Sequence, residues 1–170
     1  MTRSPLKVES MTQPNATPTP LPRIPWPPIL LVSVFAGAIG LGEARPLAWP
    51  GVDDAPTRIV GYAFGLAGLA LFIWSVLTLR RHETTVRPDR PASALVTDGP
   101  FRFRRNPIYL AHLLILLGVA ELTKNVWFAI LVIPYAALVT WLAIGPEERH
   151  LEEQFGDAYR DYKERTRRLL

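Results

Sequence analysis

IVGYAFGLAGLALFIWSVLTL, residues 59 to 79, is 21 residues long without one charged side chain. At about 1.5 Å of rise per helical residue it covers roughly 30 Å, the thickness of a bilayer's hydrocarbon core. It reads as a membrane-crossing helix. Working outward, residues 126–144 give 19 more uncharged positions, interrupted only by Pro134. Two shorter apolar runs, 29–42 and 108–122, lie on either side of the first. Trp26, Pro27 and Pro28 can lengthen 29–42 at its start, because proline is tolerated in a first helical turn. The expected fold is therefore all-α, a polytopic membrane bundle of about four transmembrane helices. With 170 residues there is room for one domain.

The basic residues support that topology. Of the 19 Lys and Arg, 16 fall in residues 1–28, 80–107 and 145–170, which four spans place on one side. By the positive-inside rule that side is cytoplasmic, with both termini there. Topology accounts for the basic balance (pI ≈ 9.8), so nucleic acid is not an expected partner. The lipid bilayer is. No cleavable signal peptide is evident. Cysteine is absent, which excludes disulfides, thiol nucleophiles and thiolate metal sites. His82, His112 and His150 lack metal-ligand spacing, so no metal is expected.

Residues 1–28 hold eight of the 17 prolines and read as a disordered, partly polyproline-II tail. Residues 29–170 form the expected domain, with a loop at 80–109, a helical hairpin at 108–144 and a final helix at 146–168. ELTKN, residues 121–125, is too short for anything but an antiparallel hairpin between the third and fourth spans. Gly61 and Gly65 make a small-xxx-small pair that lets another helix approach, within the chain or from a second copy. Gly145-Pro146 reads as a stop followed by a restart. The restarted helix carries Leu151, Phe155, Tyr159, Tyr162, Thr166 and Leu169 on one stripe. Gly156 weakens its middle by about 1 kcal/mol. It is expected to be an amphipathic helix at the cytosolic interface, folded back against the loop.

Two segments on that side carry polar groups that topology does not require. TDGPFRFRRNPIYL, residues 97–110, is bent by Gly99-Pro100 and Asn106-Pro107, since proline removes a donor and restricts its predecessor. Irregular backbone near membrane depth survives only where protein or a wet cavity receives its N–H and C=O groups. Asn106 offers donor and acceptor there, and Tyr109 a hydroxyl. Glu147 and Glu148 follow the fourth span directly. Plainer readings stand beside these. The arginines can be a headgroup-binding flank, and the glutamates can simply favour a helix N-terminus. His112 reads first as a satisfied polar group inside the bundle, second as a base. His82 and His150 read as solvated.

Taken in order, LVTDGPFRFRRNPIY, a hairpin, and EERHLEEQFGDAYRDY resemble the isoprenylcysteine carboxyl methyltransferase and phospholipid methyltransferase superfamily of integral membrane enzymes. The resemblance covers residues 59–168. It implies S-adenosyl-L-methionine as cofactor, held in a cytosol-facing pocket without a Rossmann fold, and a lipophilic, membrane-embedded methyl acceptor. By position, Leu95, Val96 and Phe101 would pack around the cofactor, and Asn106, Pro107, Ile108 and Tyr109 would form the turn holding its polar part. Glu147 and Glu148 match the paired glutamates that meet it. Its carboxylate would face Arg102, Arg104 or Arg105. Glu147 and Tyr109 are the candidate catalytic groups, and spans two to four the expected walls of the groove. The acceptor implied is an isoprenylcysteine-like carboxylate or another lipidic group. Alternatives are a phospholipid amine, a sterol-reductase-like oxidoreductase and a noncatalytic scaffold. Two positions depart from the pattern. Asn106 stands where many members have His, which excludes acid–base work there. Ala143 stands where eukaryotic isoprenylcysteine enzymes carry an arginine suited to a substrate carboxylate.

Overall fold

The computed structural model describes residues 24–84 and 92–169. Most of the expected proline-rich tail, residues 1–23, lies outside them, and Trp26–Pro28 belong to the first helix instead. Four apolar helices run in alternating directions. These are α1 (Trp26–Ala44), α2 (Ala55–Arg81), α3 (Pro107–Thr123) and α4 (Val126–Val139). Three helical stretches are long and apolar enough to cross a membrane, Trp26–Ala44, Ala55–Arg81 and Val126–Phe155, and the 17-residue α3 is a shorter apolar fourth. No strand occurs among the described residues. The protein is an all-helical integral membrane bundle.

Helix starts follow local chemistry. Asp54 caps α2 by accepting from the Thr57 amide at 3.0 Å, and the Thr57 hydroxyl accepts from the Asp54 amide at 3.3 Å. Lys124 turns left-handed (φ 52°) to end α3, and Asn125 then caps α4 by accepting from the Trp127 amide at 3.0 Å. The Asn125 side chain also donates to the Ala38 carbonyl at 2.8 Å, tying α1 to the hairpin tip.

α2 packs along α3, α3 against α4, and α4 against α1, whereas α1 and α2 share no comparable interface. The α2–α3 contact depends on missing side chains. A Cβ on Gly118 would lie 2.6 Å from the Gly65 nitrogen, and one on Gly68 would lie 2.8 Å from the Ala111 carbonyl oxygen. Small residues thus let two backbones touch, which in lipid replaces the hydrophobic drive lost there. Of the Gly61 and Gly65 pair, Gly61 abuts Glu121 and Leu122 of α3, whereas a Cβ on Gly65 would meet nothing within 4 Å. On the outer side of α2, Val60, Leu66, Leu69 and Ile73 are exposed, as lipid contact requires.

Two expectations need correction. Gly145-Pro146 does not stop the fourth span. Gly145 is helical (φ −60°, ψ −50°), and a wide π-type turn over Thr140–Ile144 carries α4 straight into α5 (Gly145–Phe155). In a normal α-turn the Pro146 ring would strike the carbonyl four residues back. The π turn, in which the Gly145 amide reaches the Thr140 carbonyl, makes room for it. The final amphipathic helix is also not continuous. Gly156 takes φ 53°, ψ −126°, a region closed to side-chain-bearing residues, and splits it into α5 and α6 (Asp157–Arg165). The expected stripe survives the break, with Phe155, Tyr159 and Tyr162 buried in a second small core beside Leu95.

Candidate functional site

The loop between α2 and α3 is fastened at both ends. His82 is not solvated as its sequence context suggests, since its Nε2 lies 2.8 Å from Asp98 Oδ1. The Ser93 hydroxyl donates to the Glu83 carbonyl at 2.9 Å, drawing the chain back past the end of α2. Gly99–Arg102 then form one short 3-10 turn that buries Phe101. The Tyr162 hydroxyl donates to the Phe101 carbonyl at 2.7 Å, and the Gln154 amide to the Ala92 carbonyl at 2.7 Å. The loop therefore rests on α5 and α6. The irregular backbone ahead of α3 finds its partners in the C-terminal segment.

Arg105 is the hinge pin of this contact. Its backbone amide donates to the Arg167 carbonyl at 2.9 Å. Its Nη1 donates to the Lys163 carbonyl at 2.9 Å and also to the Thr166 carbonyl, and its Nε to Glu148 Oε1 at 3.0 Å. The second Glu148 oxygen accepts from Arg168 Nη2 at 2.6 Å. Asn106 adds a bond from Nδ2 to the Arg168 carbonyl at 3.1 Å. The carboxylate partner holds the Arg168 guanidinium above its ordinary pKa. Both oxygens of Glu148 are thus committed within the protein, while among the described residues nothing bonds Arg105 Nη2.

Glu147 differs from its neighbour. Among the described residues its single side-chain partner is the Tyr109 hydroxyl, which donates to Oε2 at 3.3 Å. Both glutamates meet the chain at the start of α3, Glu147 through Tyr109 and Glu148 through Arg105. Beneath them opens a cavity of about 590 Å³, within the range of small-molecule sites. All ten residues proposed from sequence to meet a cofactor line it: Leu95, Val96, Phe101, Arg105, Asn106, Pro107, Ile108, Tyr109, Glu147 and Glu148. Arg102 and Arg104 do not. Arg102 is exposed, and Arg104 borders a separate shallow groove with Trp74 and Phe103.

Several lining residues were not legible as such. Pro25, Pro27, Pro28 and Leu31 bring α1 to the wall, so the groove is not built from spans two to four alone. Nothing in α1's own sequence says which helix it faces. His150 is buried at the cavity rather than solvated. His112, one turn beyond Tyr109, also lines it. Tyr159 is 1 % exposed, and its hydroxyl has no hydrogen-bond partner among the described residues. Burial pushes the Tyr159 and Tyr162 phenols well above their ordinary pKa, so both stay neutral. The Tyr159 stripe position announced burial. Only the tertiary arrangement reveals an orphaned hydroxyl at a cavity, and such a group costs about 1–3 kcal/mol unless something bonds it.

The helical bundle thus carries a mostly apolar chamber edged by a few polar side chains and lined by a loop and the C-terminal helices. The sequence pattern of the phospholipid methyltransferase family matches residues 56–158, and the chain belongs to that family, which is part of the isoprenylcysteine carboxyl methyltransferase-like superfamily. It is 31 % identical over 141 residues to the cobalt-zinc-cadmium resistance protein CzcN of Cupriavidus metallidurans, covering 81 % of this chain and 58 % of that protein. A second relative, an uncharacterised protein of Haemophilus influenzae, is 40 % identical over 65 residues, 37 % of this chain and all of the relative. This chain thus spans little more than half of the metal-resistance relative. No solved structure matches.

Proposed function

We propose that this chain transfers a methyl group from S-adenosyl-L-methionine to a lipophilic acceptor within the membrane. The observation that carries the reading is the convergence of the loop, α3 and α5 on one cavity with uncommitted polar groups. Glu147 suits the positive ammonium and sulfonium of the cofactor, and Arg105 Nη2 suits its carboxylate. Leu95, Val96 and Phe101 give apolar walls for a planar base, and the Tyr159 hydroxyl gives a bond to a polar edge. When bound, the cofactor would supply an already activated methyl group. The chain's own task is then alignment and exclusion of water, and orientation alone can lower a barrier by about 7–11 kcal/mol. Tyr109 steadies Glu147, and the apolar part of the cavity between α1 and α2 (Leu31, Phe72, Leu79) admits a hydrocarbon chain. A cavity mouth facing the cytoplasm is the orientation that the positive-inside rule favours for the basic segments around it.

The test is calorimetric titration of S-adenosylmethionine into the purified chain and into Glu147→Ala. Binding to wild type and a tenfold or greater loss in the variant are expected. Equal affinity removes Glu147 from the site. No affinity in a folded wild type removes the cofactor assignment, and tighter binding of a nicotinamide cofactor would replace it with the reductase reading.

A further inference from the structure

His112 is a buried polar side chain that the proposed cofactor contacts do not use. It stands on α3 one turn deeper than Tyr109, lines the cavity, and is 8 % exposed. Its Nδ1 lies 2.6 Å from the Tyr135 hydroxyl of α4. The ring is set against Phe72 of α2, with centroids 5.7 Å apart, and against Tyr109 and Tyr135, each at 6.1 Å. These three rings fix the plane of the imidazole. Nε2 has no partner among the described residues. A buried polar pair inside an apolar bundle is costly to keep for packing alone.

Resting on the methyl-transfer reading, we propose that His112 Nε2 accepts the proton a lipid amine must lose before it can attack the donor methyl. With Nδ1–H donating to the Tyr135 oxygen, Nε2 presents its lone pair to the cavity. An alkylammonium has a pKa of about 10 and is almost wholly protonated near neutrality. Its N–H bond breaks as the proton passes to Nε2. The freed lone pair forms the N–C bond while the C–S bond breaks, and that electron pair neutralises the sulfonium. The imidazolium then returns its proton to water at the cavity mouth. A carboxylate acceptor would need no such base. It would need a cation, and the one arginine of the lining among the described residues is Arg105, already paired with Glu148. The titratable groups around His112 are Tyr109 on its own helix, Tyr135 on α4 and, through Tyr109, Glu147 on α5. From α2 the ring set against it is Phe72.

The experiment compares wild type, His112→Gln and Tyr135→Phe, reconstituted in vesicles with phosphatidylethanolamine, phosphatidylcholine or a prenylcysteine. The expected result is transfer to the amine lipid, about 100-fold slower at pH 7 in His112→Gln. The deficit should shrink at pH 9, where more amine is already neutral. Cofactor affinity by calorimetry should be unchanged in His112→Gln. Tyr135→Phe, which keeps the base but frees its ring, should lose less. In histidine-labelled protein, the His112 nitrogen signals should move toward imidazolium with the amine lipid and stay put with the quaternary choline lipid. A pH–rate profile for a folded His112→Gln that superimposes on wild type would overturn the proposal, as would transfer to the prenylcysteine carboxylate alone. Failure of wild type to bind S-adenosylmethionine would instead overturn the reading beneath it.

Discussion

The two adjacent glutamates should separate cleanly when each is replaced by glutamine. Glu148 is 5 % exposed and accepts charged bonds from Arg105 at 3.0 Å and Arg168 at 2.6 Å. The Arg105 side chain is 9 % exposed, so Glu148→Gln leaves a buried guanidinium without its counter-charge. At 3–4 Å and an effective dielectric of about 20, the lost attraction is about 4–5 kcal/mol. Removing one partner of a buried pair typically costs about 3–5 kcal/mol. Arg168 is 48 % exposed, and water takes over most of its share. For a chain of this size that cost corresponds to a fall in Tm of roughly 6–20 °C, read by thermal unfolding in a fixed detergent. Glu147→Gln loses no ion pair and can keep its Tyr109 bond. Its Tm should move by less than about 3 °C, while cofactor affinity falls. Equal destabilisation by the two substitutions, or a Glu148→Gln protein as stable as wild type, would refute the division of labour between structural clamp and ligand group.

Tyr159→Phe should weaken S-adenosylmethionine binding about 3–10-fold, the worth of one hydrogen bond. The ligand-free protein should be as stable or more so, because an unpaired buried hydroxyl disappears; lower stability with unchanged affinity would count against a ligand role. Gly118→Ala puts a Cβ 2.6 Å from the Gly65 backbone. It should cost about 1–3 kcal/mol in thermal unfolding, and a neutral result would mean that α2 and α3 sit further apart. Gly156→Ala meets no atom within 4 Å, so its cost, about 1–3 kcal/mol, should be purely conformational.

The four apolar runs, the hairpin and the aromatic stripe of the C-terminal segment were all readable from the chain, because each depends on neighbours within a few residues. The ten residues around the cavity were named from motifs, and their convergence needed no more than a loop and a tail on one membrane face. The π turn at Thr140–Ile144 was not readable. It arises where Pro146 meets a helix that packing against α1 and α3 keeps going, and a proline after glycine looks locally like an end. The left-handed turn of Gly156 was equally hidden, since glycine permits it without demanding it. Which of two neighbouring glutamates is spent on an arginine, which tyrosine hydroxyl is left without a partner, and that α1 closes the cavity opposite α2 were decided by contacts between residues 40 to 120 positions apart. Composition along the chain determines what each helix buries in lipid, because transfer from water acts on each segment alone. Which polar atoms remain to meet a ligand is settled only once the helices have used up the others on each other.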